Sequence, residues 1–305
     1  MLSAVAGYLV VQYVTGGTGG PGCKVVSGKG DGAVYEFSPE QAVNAATIAA
    51  VGTARELPER AVTIALATAL QESALRNIEY GDRDSLGLFQ QRPSQGWGTP
   101  RQIMDPAYAS EKFYEHLEKV PGYTRLPLTV AAQKVQRSGF PQAYAKHEPD
   151  ATLLAAALTG RSGATLTCDG RPAATRAKGA DAVRAALARD FGRDVLEPAG
   201  AVVDDGKGRA SASPEPSGTE AESGDGTVTL PVTTVSGDRR DAGARGWQLA
   251  HWAVAHASDL HIRSVSYAGR EWVAGHTDSR WRPLDGKGSS GSDGEPEAVR
   301  ISTGQ

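Results

Sequence analysis

The chain has 305 residues, a formal net charge of −3 and 40% hydrophobic residues. That balance excludes the strongly basic surface that nucleic-acid binding needs, and the apolar content is enough for two modest domains. Two cysteines, with no Cys/His cluster at zinc spacing, predict a disulfide rather than a metal site, and nothing calls for a cofactor.

Residues 2–14 (LSAVAGYLVVQYV) form an uncharged apolar run before a Gly-rich stretch. The run is shorter than the ~20 residues a bilayer crossing requires and has no Lys or Arg ahead of it. With further residues upstream it would complete a signal anchor, so 1–22 is set apart as an N-terminal signal or anchor segment that can reach a membrane. The alternative is an amphipathic first helix of a soluble domain. Cys23 follows Gly20-Pro21-Gly22, which lacks the apolar residue of a lipid-attachment site. Cys23 and Cys168 lie in Gly-rich sequence that reads as exposed loop, at the two ends of one domain, and are expected to pair. Two unpaired buried thiols are the competing reading.

Ser38-Pro39-Glu40-Gln41 supplies an N-cap, a first-turn proline and a capping-box glutamine, which predicts a helix to about Leu57. Pro58-Glu59-Arg60 opens a second, whose Ala61, Val62, Ile64, Ala65, Leu66, Ala67, Ala69 and Leu70 leave almost no polar face. Such a helix runs through a core. It ends at Gln71-Glu72-Ser73. Between Tyr80 and Trp97 the chain turns to Gly, Asp, Arg, Ser and Gln, which predicts a small irregular or β-hairpin lobe. Thr99-Pro100 and Asp105-Pro106 repeat the cap-then-proline device, the second opening a helix with Tyr108, Phe113, Leu117 and Val120 near one face. Thr129 is expected to cap a helix over 130–137, and two more are predicted over 151–158 and 180–191.

Glu72 is the candidate catalytic residue. A carboxyl group at the C-terminal end of a buried helix sits at the edge of low-dielectric material, near the negative end of the helix dipole, and both influences favour its protonated form. A carboxyl kept protonated near neutral pH is what protonation of a glycosidic oxygen requires.

The segment from about Ala61 to Glu148 resembles the lysozyme-like superfamily, in its lytic transglycosylase branch. The resemblance rests on Gln71-Glu72-Ser73, then Gly87-Leu88-Phe89-Gln90 followed by Arg92-Pro93, then Gln102-Ile103-Met104-Asp105-Pro106 and Tyr108, in that order and spacing. It implies a mainly α, α+β lysozyme-like catalytic domain over 23–195 in which Glu72 is the acid, Ser73 supports it, and Gly87, Leu88, Phe89 and Gln90 line a glycan groove. Where that family carries Ala-Tyr-Asn-Ala-Gly, this chain reads Ala131-Ala132-Gln133-Lys134-Val135-Gln136. Gln133 and Gln136 are therefore candidates for the amide contacts to substrate and Tyr144 for the phenol, while Trp97 is the aromatic assigned to sugar stacking. The longer form also resembles a group of actinobacterial exported proteins with a lysozyme-like region.

The implied activity is cleavage of the β-1,4 bond between N-acetylmuramic acid and N-acetylglucosamine in peptidoglycan strands, outside the cytoplasm. A hydrolase needs a second carboxylate near the scissile bond, whereas a lytic transglycosylase can use the substrate's acetamido group. Asp82 and Asp84 are the available second carboxylates, and for both a turn residue or a partner of Arg83 is the plainer reading. The altered helix at Gln133 keeps open a second class of function, a weak or inactive cell-wall-binding module in a secretion or conjugation assembly.

Beyond Phe191 the composition shifts to Gly, Ser, Asp, Glu and Pro, which predicts a flexible linker over 196–226. A small α+β module over 227–305 follows. Val228, Leu230 and Val232 alternate as a strand, Trp247 to Leu260 reads as an amphipathic helix, residues 262–267 and 271–274 as a hairpin, and 299–302 as a last strand. Trp247, Trp252, Trp272 and Trp281, with His251, His256, His261 and His276 nearby, fit a core of large aromatics better than a metal site. The module is expected to bind a wall or protein partner without catalysis.

Overall fold

The computed structural model describes residues 22–170, 179–196, 226–232, 239–275, 280–284 and 298–303. The apolar segment at 2–14, most of the 196–226 linker, His276 and most of the tail after Asp285 lie outside the described residues. The described residues form a mixed α+β, mainly helical architecture with two small antiparallel sheets.

Strands β1 (Cys23–Val26), β2 (Val34–Phe37) and β3 (Leu166–Cys168) form the first sheet, in the order β2-β1-β3. Cys23 stands opposite Cys168 in the β1/β3 register, and the two are joined in a disulfide. This corrects the expectation of exposed loops, because both cysteines sit in paired strands and are buried. The Gly-rich flanks hid strands of three and four residues, which are too short to show alternation.

Helix α1 (Pro39–Ala54) starts on the predicted capping box, Ser38 and Gln41 each satisfying the other's backbone, and stops three residues short of Leu57. Helix α2 (Glu59–Ser73) is buried from Ala61 through Leu70. Helices α3 (Pro100–Ile103) and α4 (Pro106–Glu118) carry the two predicted caps, Thr99 and Asp105. Helix α5 (Leu128–Gln136) begins two residues before the expected start. Its N-cap is Pro127, and Thr129 lies in the first turn instead of capping it. Helices α6 (Glu148–Leu158) and α7 (Gly179–Phe191) complete the helical body.

The second sheet runs β4 (Thr227–Pro231), β8 (Ala298–Thr303), β5 (Ile262–Tyr267), β6 (Arg270–Val273) and β7 (Arg282–Pro283) in spatial order, so the last strand fills the gap between β4 and β5. Helix α8 (Arg239–Ala255) packs between this sheet and the helical body, and the two regions share one continuous core. Their approach at one point is close enough to demand glycine. Gly160 has φ +77°, and a Cβ there would lie 1.7 Å from the Ala244 carbonyl oxygen. The indoles of the C-terminal segment donate across the seam, Trp272 Nε1 to the Cys168 carbonyl at 3.1 Å and Trp281 Nε1 to the Leu166 carbonyl at 2.9 Å. Among the described residues no helix is long and apolar enough to cross a membrane.

Candidate active site

Helix α2 delivers Glu72 to a cleft of about 1070 Å³. The helix ends abruptly, since Ala74 and Leu75 both adopt left-handed backbone at φ 53° and 58°. For residues with a Cβ that conformation costs about 1–2 kcal/mol each. Three contacts hold the turn in place: Gln41 Nε2 donates to the Ala74 carbonyl, Asn44 Nδ2 donates to the Leu75 carbonyl, both at 2.8 Å, and the Leu75 side chain is fully buried. The carboxyl group is thereby fixed at the mouth of the core.

Ser73 has its back to the cleft. Its hydroxyl donates to the Ala69 and Leu88 carbonyls at 3.1 and 2.8 Å, tying the helix end to the predicted irregular lobe. In that lobe Leu86 and Gln91 form an isolated antiparallel bridge, and Gly87 turns at φ +74° where a Cβ would meet the Ile103 carbonyl oxygen at 2.7 Å. Leu88 and Phe89 are fully buried, with Phe89 stacked on Phe113 at 4.6 Å. Of the four residues expected along the groove only Gln90 lines the cleft. The other three build its floor support, because the turn at Gly87 directs the two apolar side chains inward.

Tyr144, Gln136 and Glu72 come together. The Tyr144 hydroxyl donates to Glu72 Oε1 at 2.6 Å, and the Gln136 amide, whose Nε2 donates to the Phe89 carbonyl at 2.7 Å, lies close enough to the same carboxyl group to favour its ionised form. Burial raises the Glu72 pKa above its ordinary value, and Tyr144 and Gln136 pull against that shift by stabilising the carboxylate. Burial and the adjacent carboxylate raise the Tyr144 phenol, which therefore remains a neutral donor. Gln133 takes no part in the cleft lining. Its Nε2 donates to the Ser138 carbonyl at 2.8 Å and so anchors the chain leading to the 3₁₀ segment Pro141–His147 that carries Tyr144.

The two aspartates differ. Asp84 is locked by Arg92 Nε at 2.7 Å and by the Ser94 backbone N–H at 2.8 Å, which hold its carboxyl well below the usual carboxylate range. Asp82 lines the cleft, with a side chain 95% exposed and Arg83 at 3.9 Å. Trp97 also lines it, packed on His116 at 4.1 Å between ring centres. Tyr80 is exposed on the lobe surface.

Sequence reasoning missed the basic part of this cleft. Arg92, Lys119, Lys134 and Arg137 all line it. The last three sit at the C-terminal ends of α4 and α5, where cations routinely complement the helix dipole, so their spacing gave no separate signal.

The described residues contain no group of three or more His, Cys, Asp or Glu side chains that would hold a metal. No curated protein matches the chain. A family model described as VldE, C-terminal domain, matches residues 215–293, about a quarter of the chain, which takes in β4, α8 and the β5–β7 meander and leaves out Glu72 and every residue of the cleft.

Proposed function

We propose that the protein is an exported enzyme that cleaves the β-1,4 bond between N-acetylmuramic acid and N-acetylglucosamine in peptidoglycan, with Glu72 as general acid and then base. The observation that carries the reading is a single carboxyl group, raised in pKa by burial, held by Tyr144 and Gln136 at the wall of a cleft large enough for several sugar rings. The disulfide between Cys23 and Cys168 fits an oxidising compartment, and with it a secreted or membrane-anchored location.

The carboxylates favour the lytic transglycosylase route. Asp84 is consumed by Arg92 and Ser94, and Asp82 is solvated, so neither is a fixed nucleophile facing Glu72. Glu72 would protonate the glycosidic oxygen as the bond from the muramic C1 breaks, while the acetamido oxygen of the same sugar closes on C1. The Glu72 carboxylate would then take the proton from the C6 hydroxyl, whose oxygen displaces the acetamido group to form a 1,6-anhydro ring.

The test is digestion of purified cell wall by the wild-type chain and by Glu72→Gln, with mass spectrometry of the soluble products. Loss of at least about 10³-fold in product release is expected from the variant, and anhydro ends from the wild type. Equal release from both proteins would remove Glu72 from the chemistry, and reducing ends would replace the transglycosylase route with hydrolysis.

A further inference from the structure

The cleft carries more positive charge than its chemistry uses. Lys119, Lys134 and Arg137 line the same cavity as Glu72, and all three are exposed. Among the described residues no carboxylate comes within ion-pair distance of any of them. Several other cations of the helical body are paired, Arg55 with Glu111 and Glu118, Arg60 with Glu148, Lys112 with Glu115, and Arg161 with Glu59. With Asp84 committed to Arg92, the cleft presents three cations against Asp82 and Glu72, in a chain whose net charge is −3.

Helix-dipole complementation accounts for a cation at each helix end, yet it does not require two ends to converge on one cavity, or three charges there to have no ion-paired carboxylate among the described residues. Arg137 adds a local argument. It occupies the left-handed C-cap of α5 at φ 54°, a position where glycine costs least, and there its side chain joins the cleft lining. The resulting field is felt by a neighbour: burial lowers the His116 pKa, and Lys119, Lys112 and Arg137 lower it further while Glu115 opposes them.

We propose that Lys119, Lys134 and Arg137 form a subsite for anionic oxygen groups carried on the wall glycan, so that the enzyme selects strands bearing negative substituents over bare neutral sugar chains. The proposal rests on the reading of the cleft as a glycan site. Carboxylates of peptides attached to the strand and phosphates of polymers attached to it share this chemistry, since each offers paired oxygens to a lysine ammonium or to the fork of arginine.

Binding can be read without turnover by sedimenting Glu72→Gln protein with insoluble purified walls. Adding Lys119→Gln, Lys134→Gln and Arg137→Gln, all at exposed positions, is expected to weaken that binding about tenfold at low salt, with the gap closing as ionic strength rises. Amidation of the wall carboxylates, or removal of phosphodiesters with hydrofluoric acid, identifies the source. The effective treatment brings the parent down to the level of the substituted protein and leaves the latter unchanged. A substituted protein that melts like the parent and binds untreated walls equally well would overturn the subsite, as would a gap that survives both treatments. If wild-type protein digests walls in either of those cases, only the subsite fails. If it neither binds nor digests them, the glycan reading of the cleft falls with it.

Discussion

Two carboxyl groups are held inside this protein in opposite ways, one at the cleft and one at the seam between the helical body and the C-terminal segment. Asp190, 2% exposed, is surrounded by donors: Arg189 Nε at 2.7 Å on one oxygen, and on the other Trp252 Nε1 at 2.8 Å and Thr47 Oγ1 at 3.1 Å. Glu72 is given only Tyr144 and Gln136, and burial outweighs both. A carboxylate saturated with donors from α1, α7 and α8 serves as a joint. One left short of donors beside a cavity is suited to the proton-carrying role proposed for Glu72. The difference lies in the partners rather than in residue type or in burial alone.

The sharpest way to break this comparison is at the seam. Asp190→Ala leaves the Trp252 indole N–H, the Thr47 hydroxyl and the Arg189 guanidinium without their acceptor, and should cost about 3–5 kcal/mol of unfolding free energy in denaturant titration. Asp190 does not line the cleft, so wall digestion per folded molecule should be retained at low temperature. A variant as stable as the wild type would show that the joint contributes nothing.

A second seam prediction concerns acid. His251 is fully buried, its Nδ1 lies 2.8 Å from the Ala157 carbonyl and its Nε2 lies 3.3 Å from the Thr165 backbone nitrogen. The first contact needs an N–H on the ring and the second needs a lone pair, so the neutral imidazole is the form that fits. Burial drives its pKa from 6.5 to about 4, and burial also lowers that of His256. The unfolded chain therefore takes up protons that the folded chain refuses, and stability present above pH 6.5 is lost as pH falls towards 4. For His251 alone the loss is about 3 kcal/mol. Replacement by Gln should lower stability at neutral pH and flatten that acid slope; an unchanged slope would exclude His251 as its source.

How much of this was legible depended on whether one residue or several distant ones carried the signal. Ser38, Thr99 and Asp105 announce their helices because a cap and its partner lie within three residues of each other. The apolar run of α2 likewise gives the course of that helix and the placement of Glu72 at its end. Strands β1 to β3 are too short for a period, so the buried setting of Cys23 and Cys168 was hidden although their pairing was not. The lobe was legible as irregular, but which of its residues face the cavity turned on the left-handed glycine at 87, and side-chain direction after such a turn cannot be counted out along the chain. The tryptophans read as core. That Trp252 serves Asp190, 62 residues away, and Trp281 the Leu166 carbonyl, 115 away, is long-range information that local pattern does not contain.

The finest contrast between the two regions lies in one hydroxyl. Tyr144 donates to Glu72 at 2.6 Å and so stabilises the ionised carboxyl. Its removal in Tyr144→Phe should therefore push the Glu72 pKa further up, not down. For a general acid, activity falls as pH rises through that pKa, so the alkaline limb of the digestion profile should move to higher pH in the variant. The rate at the optimum should drop about tenfold from loss of orientation. A purely structural role for the phenol would lower the rate, or the melting temperature, without moving the limb. On the proposed role of Glu72 the one contact would serve twice: the hydroxyl would hold the acid in position, and by favouring the carboxylate it would keep burial from raising the pKa so far that the proton could no longer be surrendered.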